Sequence, residues 1–119
     1  MNRIQIAIDD LAFRGALLLG LAASRAGEVD CVDLPDMQAP GVVVLDTEHL
    51  ARLPAPLLRP ERVVLVAHGR GADSSEMLQR AWEAGVHAVV YDKDPLDTMV
   101  LAVLSARLRS ARIRKGGMS

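Results

Sequence analysis

Apolar residues in this chain fall into short runs separated by stretches with helical spacing. Residues 4–8, 42–45, 63–66 and 86–91 are rich in Ile and Val. Runs of that length and composition predict β-strands. Three of the four are nearly continuously apolar, as expected of strands covered on both faces in a parallel sheet. The first alternates Ile4, Ile6 and Ile8 with Gln5 and Ala7, which makes its strand pattern the weakest of the four. A fifth run, 29–34, intersperses Val29, Cys31, Val32 and Leu34 with Asp30 and Asp33 and reads as an edge strand. On that reading Cys31 is a small core residue of its strand.

Between the runs lie helical segments. Residues 12–26 are rich in Ala and Leu, follow the acidic pair Asp9-Asp10 and precede Gly27, where a helix stop is expected. Residues 73–83 place Met77, Leu78, Ala81 and Trp82 at helical spacing, with Asp73, Ser74 and Ser75 as N-cap candidates and Gly85 as the stop. Residues 96–113 place Leu96, Met99, Val100, Val103 and Leu104 on one stripe behind Pro95. Two connections differ. Residues 33–41, with Pro35 and Pro40, are too short and proline-rich for a full helix, and Pro54, Pro56 and Pro60 limit 48–53 to about one turn.

Strands alternating with helices predict a doubly wound α/β sandwich, in which ligands gather at the carboxyl ends of the strands. The length of 119 residues fits one domain, and 50% hydrophobic residues supply its core. With one cysteine, an intrachain disulfide and a multi-cysteine metal site are excluded. The chain shows no signal-peptide pattern and no membrane-length apolar run, so a cytoplasmic setting without membrane insertion is expected. The formal net charge of −1 divides unevenly. Residues 1–104 carry a net −6, whereas 105–119, with Arg107, Arg109, Arg112, Arg114 and Lys115, carry +5. The basic stretch reads as the solvated end of the last helix, as the start of a linker to a DNA-binding output domain, or as a weak nucleic-acid contact. Without interleaved aromatics, direct nucleic-acid binding is not expected.

The strand ends carry the candidate chemistry. The first ends in Asp9-Asp10, the second long run in Asp46, the third in Ala67-His68-Gly69 and the fourth in Tyr91-Asp92-Lys93-Asp94. Carboxylates converging from neighbouring strands make an oxygen-rich site suited to a hard divalent cation. A lysine arriving on another strand could pair with a carboxylate or a phosphoryl oxygen. A lone acid after a strand is more often a helix cap than a ligand, so the order of the acids carries the signal, not any one of them.

The chain resembles the receiver domain of two-component response regulators. The resemblance rests on Ile4-Gln5-Ile6-Ala7-Ile8-Asp9-Asp10, on Val42-Val43-Val44-Leu45-Asp46, on Val63-Val64-Leu65-Val66-Ala67-His68, and on the block from Ala81-Trp82-Glu83-Ala84-Gly85 to Tyr91-Asp92-Lys93-Asp94. It implies a flavodoxin-like fold: a five-stranded parallel sheet with helices on both faces, here with the second helix shortened or missing and the third disrupted. The receiver unit would span 1–110, with 111–119 as a basic tail or linker. The resemblance further implies that Asp9, Asp10 and Asp46 hold Mg²⁺ and that Asp46 accepts a phosphoryl group from a sensor histidine kinase or phosphotransfer protein. Lys93 would contact that group.

Two departures weaken this assignment. The family's switch Thr or Ser corresponds to Val66, which has no hydroxyl, and nothing shows that Ser74 or Ser75 substitutes for it. Tyr91 lies two residues before Lys93, where the family places its aromatic three before, at Val90 here. Counting from Ala84-Gly85 instead puts Asp92 at the lysine position, so the register of Lys93 is open. The expectation is therefore an atypical receiver without turnover activity, a candidate phosphoacceptor at Asp46. The alternative is a phosphorylation-independent pseudo-receiver, a dimerisation or docking module that could regulate a DNA-binding output domain. In either case the last helix, with Leu101, Leu108 and Ile113 off its core stripe, is the expected surface for a homodimer or an output domain. Asp46-Thr47-Glu48 also resembles one motif of two-metal exonucleases, but no later acidic motif accompanies it. His68 and His87 read as loop histidines, and His49 reads equally as pocket lining or as surface.

Overall fold

The computed structural model describes residues 3–53, 57, 59–67, 75–86 and 88–116, with side chains described as far as Arg109. His68, Ser74, Asp73 and His87 lie outside these residues, as does the side chain of Ile113. Five parallel strands, β1 (Arg3–Ala7), β2 (Glu28–Cys31), β3 (Val42–Asp46), β4 (Val63–Ala67) and β5 (Ala88–Tyr91), lie in the order β2-β1-β3-β4-β5. Among the described residues, four α-helices, α1 (Leu11–Ala23), α2 (Thr47–Ala51), α3 (Ser75–Ala84) and α4 (Leu96–Gly116), and a short 3-10 turn, Pro60–Arg62, connect or follow them. This is the flavodoxin-like order, with the topological switch between β1 and β3. Each expected strand and helix is present, with ends shifted by a few residues.

Alternate side chains of the central strands feed two separate cores, because successive Cβ atoms point to opposite faces. Ile4, Ile6, Val42, Val44, Val64 and Val66 pack with Leu17 and Leu21 of α1 and with Met99 and Val103 of α4. Val43, Leu45, Val63 and Leu65 pack with Leu50 of α2 and with Met77, Ala81 and Ala84 of α3. Gly20 lets α1 and α4 approach closely: a Cβ there would lie 3.1 Å from Val100 Cγ2.

The structure corrects several expectations. β1, the least regular of the expected strands, is a central strand buried on both faces, and its Gln5 is buried as well. Its amide exchanges two hydrogen bonds with the backbone of Asp36, accepting from the N–H at 2.8 Å and donating to the carbonyl at 2.9 Å. As the prolines led one to expect, residues 32–41 form a loop with no helix and α2 is five residues long. This loop is held by Arg62, a buried side chain just before β4 that donates to the carbonyls of Met37, Ala39 and Gly41. Gly41 adopts φ +106°, and a Cβ there would meet the Arg3 carbonyl oxygen at 2.0 Å, so only glycine fits where the loop enters β3. Cys31 is exposed, because β2 is an edge strand that ends there.

The helix ends also differ. α1 stops at Ala23 rather than near Gly27. Arg25, not a glycine, takes the left-handed conformation with φ +53°, and Ala26 N–H bonds the Leu21 carbonyl. α3 ends as expected at Gly85, φ +85°, with Val86 N–H on the Ala81 carbonyl. On α3 only half of the expected stripe is inward: Met77 and Ala81 are buried, whereas Leu78 is exposed and Trp82 is 78% exposed. On α4 the stripe holds at Met99, Val100 and Val103, while Leu101 and Leu108 face outward and Leu96 is 39% exposed. Two cations of the basic stretch turn back onto the body: Arg107 donates to the Ala26 carbonyl and Arg109 to the Glu61 carbonyl. No helix among the described residues is long and apolar enough to cross a membrane.

Candidate functional site

The cleft at the carboxyl ends of β1 and β3 is lined by Asp9, Asp10, Asp46, Thr47 and Glu48. Its geometry follows from the sheet. β1 and β3 are neighbours in register, with Ala7 opposite Leu45, so the residues leaving the two strands meet. Asp46 is both the last residue of β3 and the N-cap of α2, accepting the backbone N–H of His49 on Oδ1 at 2.9 Å. Its other oxygen, Oδ2, accepts the backbone N–H of Asp9 at 2.9 Å. Asp10 caps α1, accepting the Phe13 N–H at 2.9 Å. The structure thus brings together the three acids singled out in the sequence. It also gives two of them helix-capping work.

A fourth residue decides the character of the cleft. His49 is 2% exposed, and its Nδ1 lies 2.7 Å from Asp46 Oδ1. Nε2 lies 2.9 Å from the Asp33 carbonyl oxygen and 3.8 Å from Asp9 Oδ1. A carbonyl and an ionised carboxylate can only accept, so both hydrogen bonds form together when both ring nitrogens carry a proton. Burial pushes the Asp46 carboxyl up, but the N–H donors of Asp9 and His49, the imidazole hydrogen bond and the imidazole charge outweigh it. The net result holds Asp46 below its ordinary value. Asp46 is therefore a carboxylate engaged on three sides and 6% exposed, while Asp9 remains open to solvent.

The sequence placed His49 near the cleft without distinguishing pocket from surface. The available signal was its spacing: a residue three positions after an N-cap aspartate presents its backbone N–H to the cap. The second ring contact, to Asp33, depends on the course of the β2–β3 loop and has no local signature.

Elsewhere the site departs from the receiver pattern. Val66 pairs with Asp46 across β3 and β4 and is fully buried, so an isopropyl group stands beside the carboxylate. β5 pairs residue for residue with β4 through Ala67 and Tyr91, and Asp92 N–H continues the ladder to the Ala67 carbonyl. There is thus no bulge between Ala88 and Tyr91, and Asp92 takes the strand-end position. Lys93 lies exposed in the following turn and does not line the cleft.

Asp9, Asp46 and His49 each bring a potential ligand atom within 4.8 Å of the others. This trio as it stands does not fit Mg²⁺, although Asp10 also lines the cleft. Both ring nitrogens of His49 point at acceptors, Asp46 Oδ1 already takes two N–H groups, and a hard cation needs several oxygens at about 2.0–2.1 Å.

No family model matches the chain, and no curated protein does. Solved structures do match. FixJ from B. japonicum superposes with a TM-score of 0.66 at 17% identity, covering 96% of this chain and 61% of its own. NtrX from Brucella abortus gives 0.66 at 17%, covering 98% and 29%. The response regulator StyR gives 0.63 at 18%, covering 98% and 64%. The fold is that of a response-regulator receiver domain. The chain spans under two thirds of the length of each of these three proteins, and at such identities the likeness concerns the receiver fold alone.

Proposed function

We propose that the chain is a receiver-fold signalling module that works by docking, without a phosphoryl group on Asp46. The observation that carries this reading is the state of the Asp46 carboxylate. It is buried and accepts three hydrogen bonds, from the backbones of Asp9 and His49 and from the His49 ring. A nucleophile must present a lone pair to its electrophile. Here three of about four acceptor positions, both of those on Oδ1 and one on Oδ2, are engaged in holding α2 and the β1 end in place. Val66 beside Asp46 and Lys93 outside the cleft support the same conclusion, since a hydroxyl and a cation near a phosphoryl group would both be missing. Docking would use the exposed Leu101 and Leu108 of α4, either in a homodimer or against an output domain.

A second reading keeps Asp46 as a Mg²⁺-dependent phosphoacceptor served by a sensor kinase or phosphotransfer protein. It is favoured by the convergence of Asp9, Asp10 and Asp46 on one open cleft. One experiment separates the two. Intact-mass analysis follows incubation with acetyl phosphate, with and without Mg²⁺, with Asp46→Asn as the control. No adduct is expected, under conditions that fully label an ordinary receiver. A Mg²⁺-dependent adduct that disappears in Asp46→Asn would establish the second reading.

A further inference from the structure

Buried against Asp46 at the edge of the cleft is a side chain whose position has no counterpart in the acidic pattern of the sequence. His49 reaches this edge from the third residue of α2, and its ring is enclosed: Asp46 Oδ1 on one nitrogen at 2.7 Å, the Asp33 carbonyl on the other at 2.9 Å, and Asp9 Oδ1 at 3.8 Å. Asp9 and Asp46, held together by the Asp9 N–H bond to Asp46 Oδ2, would otherwise face each other as like charges without a partner. A divalent cation bridging Asp46 Oδ1 and Asp9 Oδ1 would have to contact the same oxygen atoms that the ring now touches.

We propose that the His49 imidazole is a built-in plug of this cleft, occupying the space between Asp9 and Asp46 so that a hard divalent cation is kept out, and that removing the ring turns the cleft into a divalent-cation site. The plug depends on two features that lie outside the acidic motif. α2 must begin directly after β3, because only then does the N-cap geometry at Asp46 carry the third helical residue over the cleft. The β2–β3 loop must also bring the Asp33 carbonyl to Nε2, and that loop is fixed by Gln5 and Arg62. The loop that stands in place of a helix is thereby tied to the closure of the site. The proposal rests on the docking reading above and supplies its cause: the acids are present and one ring makes them unavailable.

The test is a calorimetric titration of the full chain with Mg²⁺ and Mn²⁺. The wild type is expected to show no saturable binding. His49→Ala should bind at least about tenfold more tightly, and Asp9→Asn added to it should abolish the gain. Because an alanine leaves a buried gap, His49→Asn serves as a second opening variant with a shorter polar side chain, and circular dichroism establishes that each is folded. A folded variant that binds no better than the wild type overturns the plug and leaves the docking reading intact. Mg²⁺ binding together with a phosphoryl adduct in the wild type overturns both. On the wild type itself, the ¹⁵N resonances of the His49 ring should stay in place on adding about 10 mM Mg²⁺, a concentration that would populate even a millimolar site. A saturable shift of those resonances contradicts the plug without recourse to any variant.

Discussion

The two sides of the sheet are built by different means. On one, α1 and α4 cover the strands with Leu17, Leu21, Met99 and Val103, and close approach at Gly20 completes a purely apolar contact. On the other, α3 and the short α2 leave ground that the loop 32–41 must cover, and the loop is fastened by polar side chains taken into the interior. Gln5 holds Asp36, Arg62 holds three consecutive-turn carbonyls between Met37 and Gly41, and His49 holds Asp33. A helix satisfies its own backbone, whereas a loop pressed against a core must find partners for its N–H and C=O groups elsewhere. Three of the buried polar residues described, Gln5, His49 and Arg62, are those partners. Where the helix is missing, hydrogen bonds from the core have replaced it, and one of these donors, His49, also holds Asp46 at the candidate site.

Removing Arg62 should break this arrangement most severely. Its guanidinium is the common donor for the carbonyls of Met37, Ala39 and Gly41, and burial together with the neighbouring Arg59 already pulls its pKa below the ordinary value, with Glu61 and Asp36 opposing. Arg62→Ala leaves a gap and several orphaned carbonyls, which on the scale of lost buried networks costs about 3–5 kcal/mol. Urea unfolding should show that loss, and hydrogen exchange should rise first across the β2–β3 loop while the α1/α4 side stays protected. Equal loss of protection on both sides would mean that the loop is not an independently fastened unit.

The polar side should also be the one that responds to acid. Asp46 has a folded-state pKa held below its ordinary value, so the folded protein binds this proton less readily than the unfolded chain does. The stability it contributes is fully present above the ordinary aspartate range near about 3.9 and is lost as the pH falls through the lower folded value. Thermal unfolding followed downward from neutral pH should therefore show a steeper acid loss in the wild type than in Asp46→Asn, which keeps a capping side chain but no titratable group. Parallel profiles would show that the network around Asp46 contributes no pH-dependent stability.

The sheet was legible because its physics is local. Val42, Val43, Val44 and Leu45 are apolar on both faces, and a strand of that kind has to be central. The cleft was legible in the same way, since Asp9, Asp10 and Asp46 stand at the ends of strands that the α/β alternation makes neighbours. What escaped was whatever required one segment to complete another. Gln5 broke the apolar run of the first strand with no partner visible in the sequence, and its partner is Asp36 in the loop 32–41. Cys31 looked internal because its strand was expected to run on to residue 34, and β2 stops at Cys31. Arg62 and His49 carry no pattern of their own, since an arginine before a strand and a histidine in a one-turn helix are ordinary surface residues in most contexts. Trp82 was drawn inward by helical spacing, but Met77 and Ala81 already fill that side of α3.

The smallest effect lies on the apolar side, at the stop of α1. Sequence spacing favours Gly27 as the terminator, yet the chain turns two residues earlier with Arg25 in the left-handed region at φ +53°. Ala26 N–H closes onto the Leu21 carbonyl and Ala26 is buried, so the early stop is set by what must be inserted behind it, not by the residue that makes the turn. A side chain at such a position costs about 1 kcal/mol against glycine, while glycine loses more entropy on folding. Arg25 is exposed, so its replacement forfeits no core contact. Arg25→Gly should accordingly raise stability by up to about 1 kcal/mol in urea unfolding, without altering the acid profile or the protection of the β2–β3 loop. If Arg25→Gly lowers stability, unfolded-state entropy outweighs the strain relieved at the turn, and the apolar side gains nothing from a better helix stop.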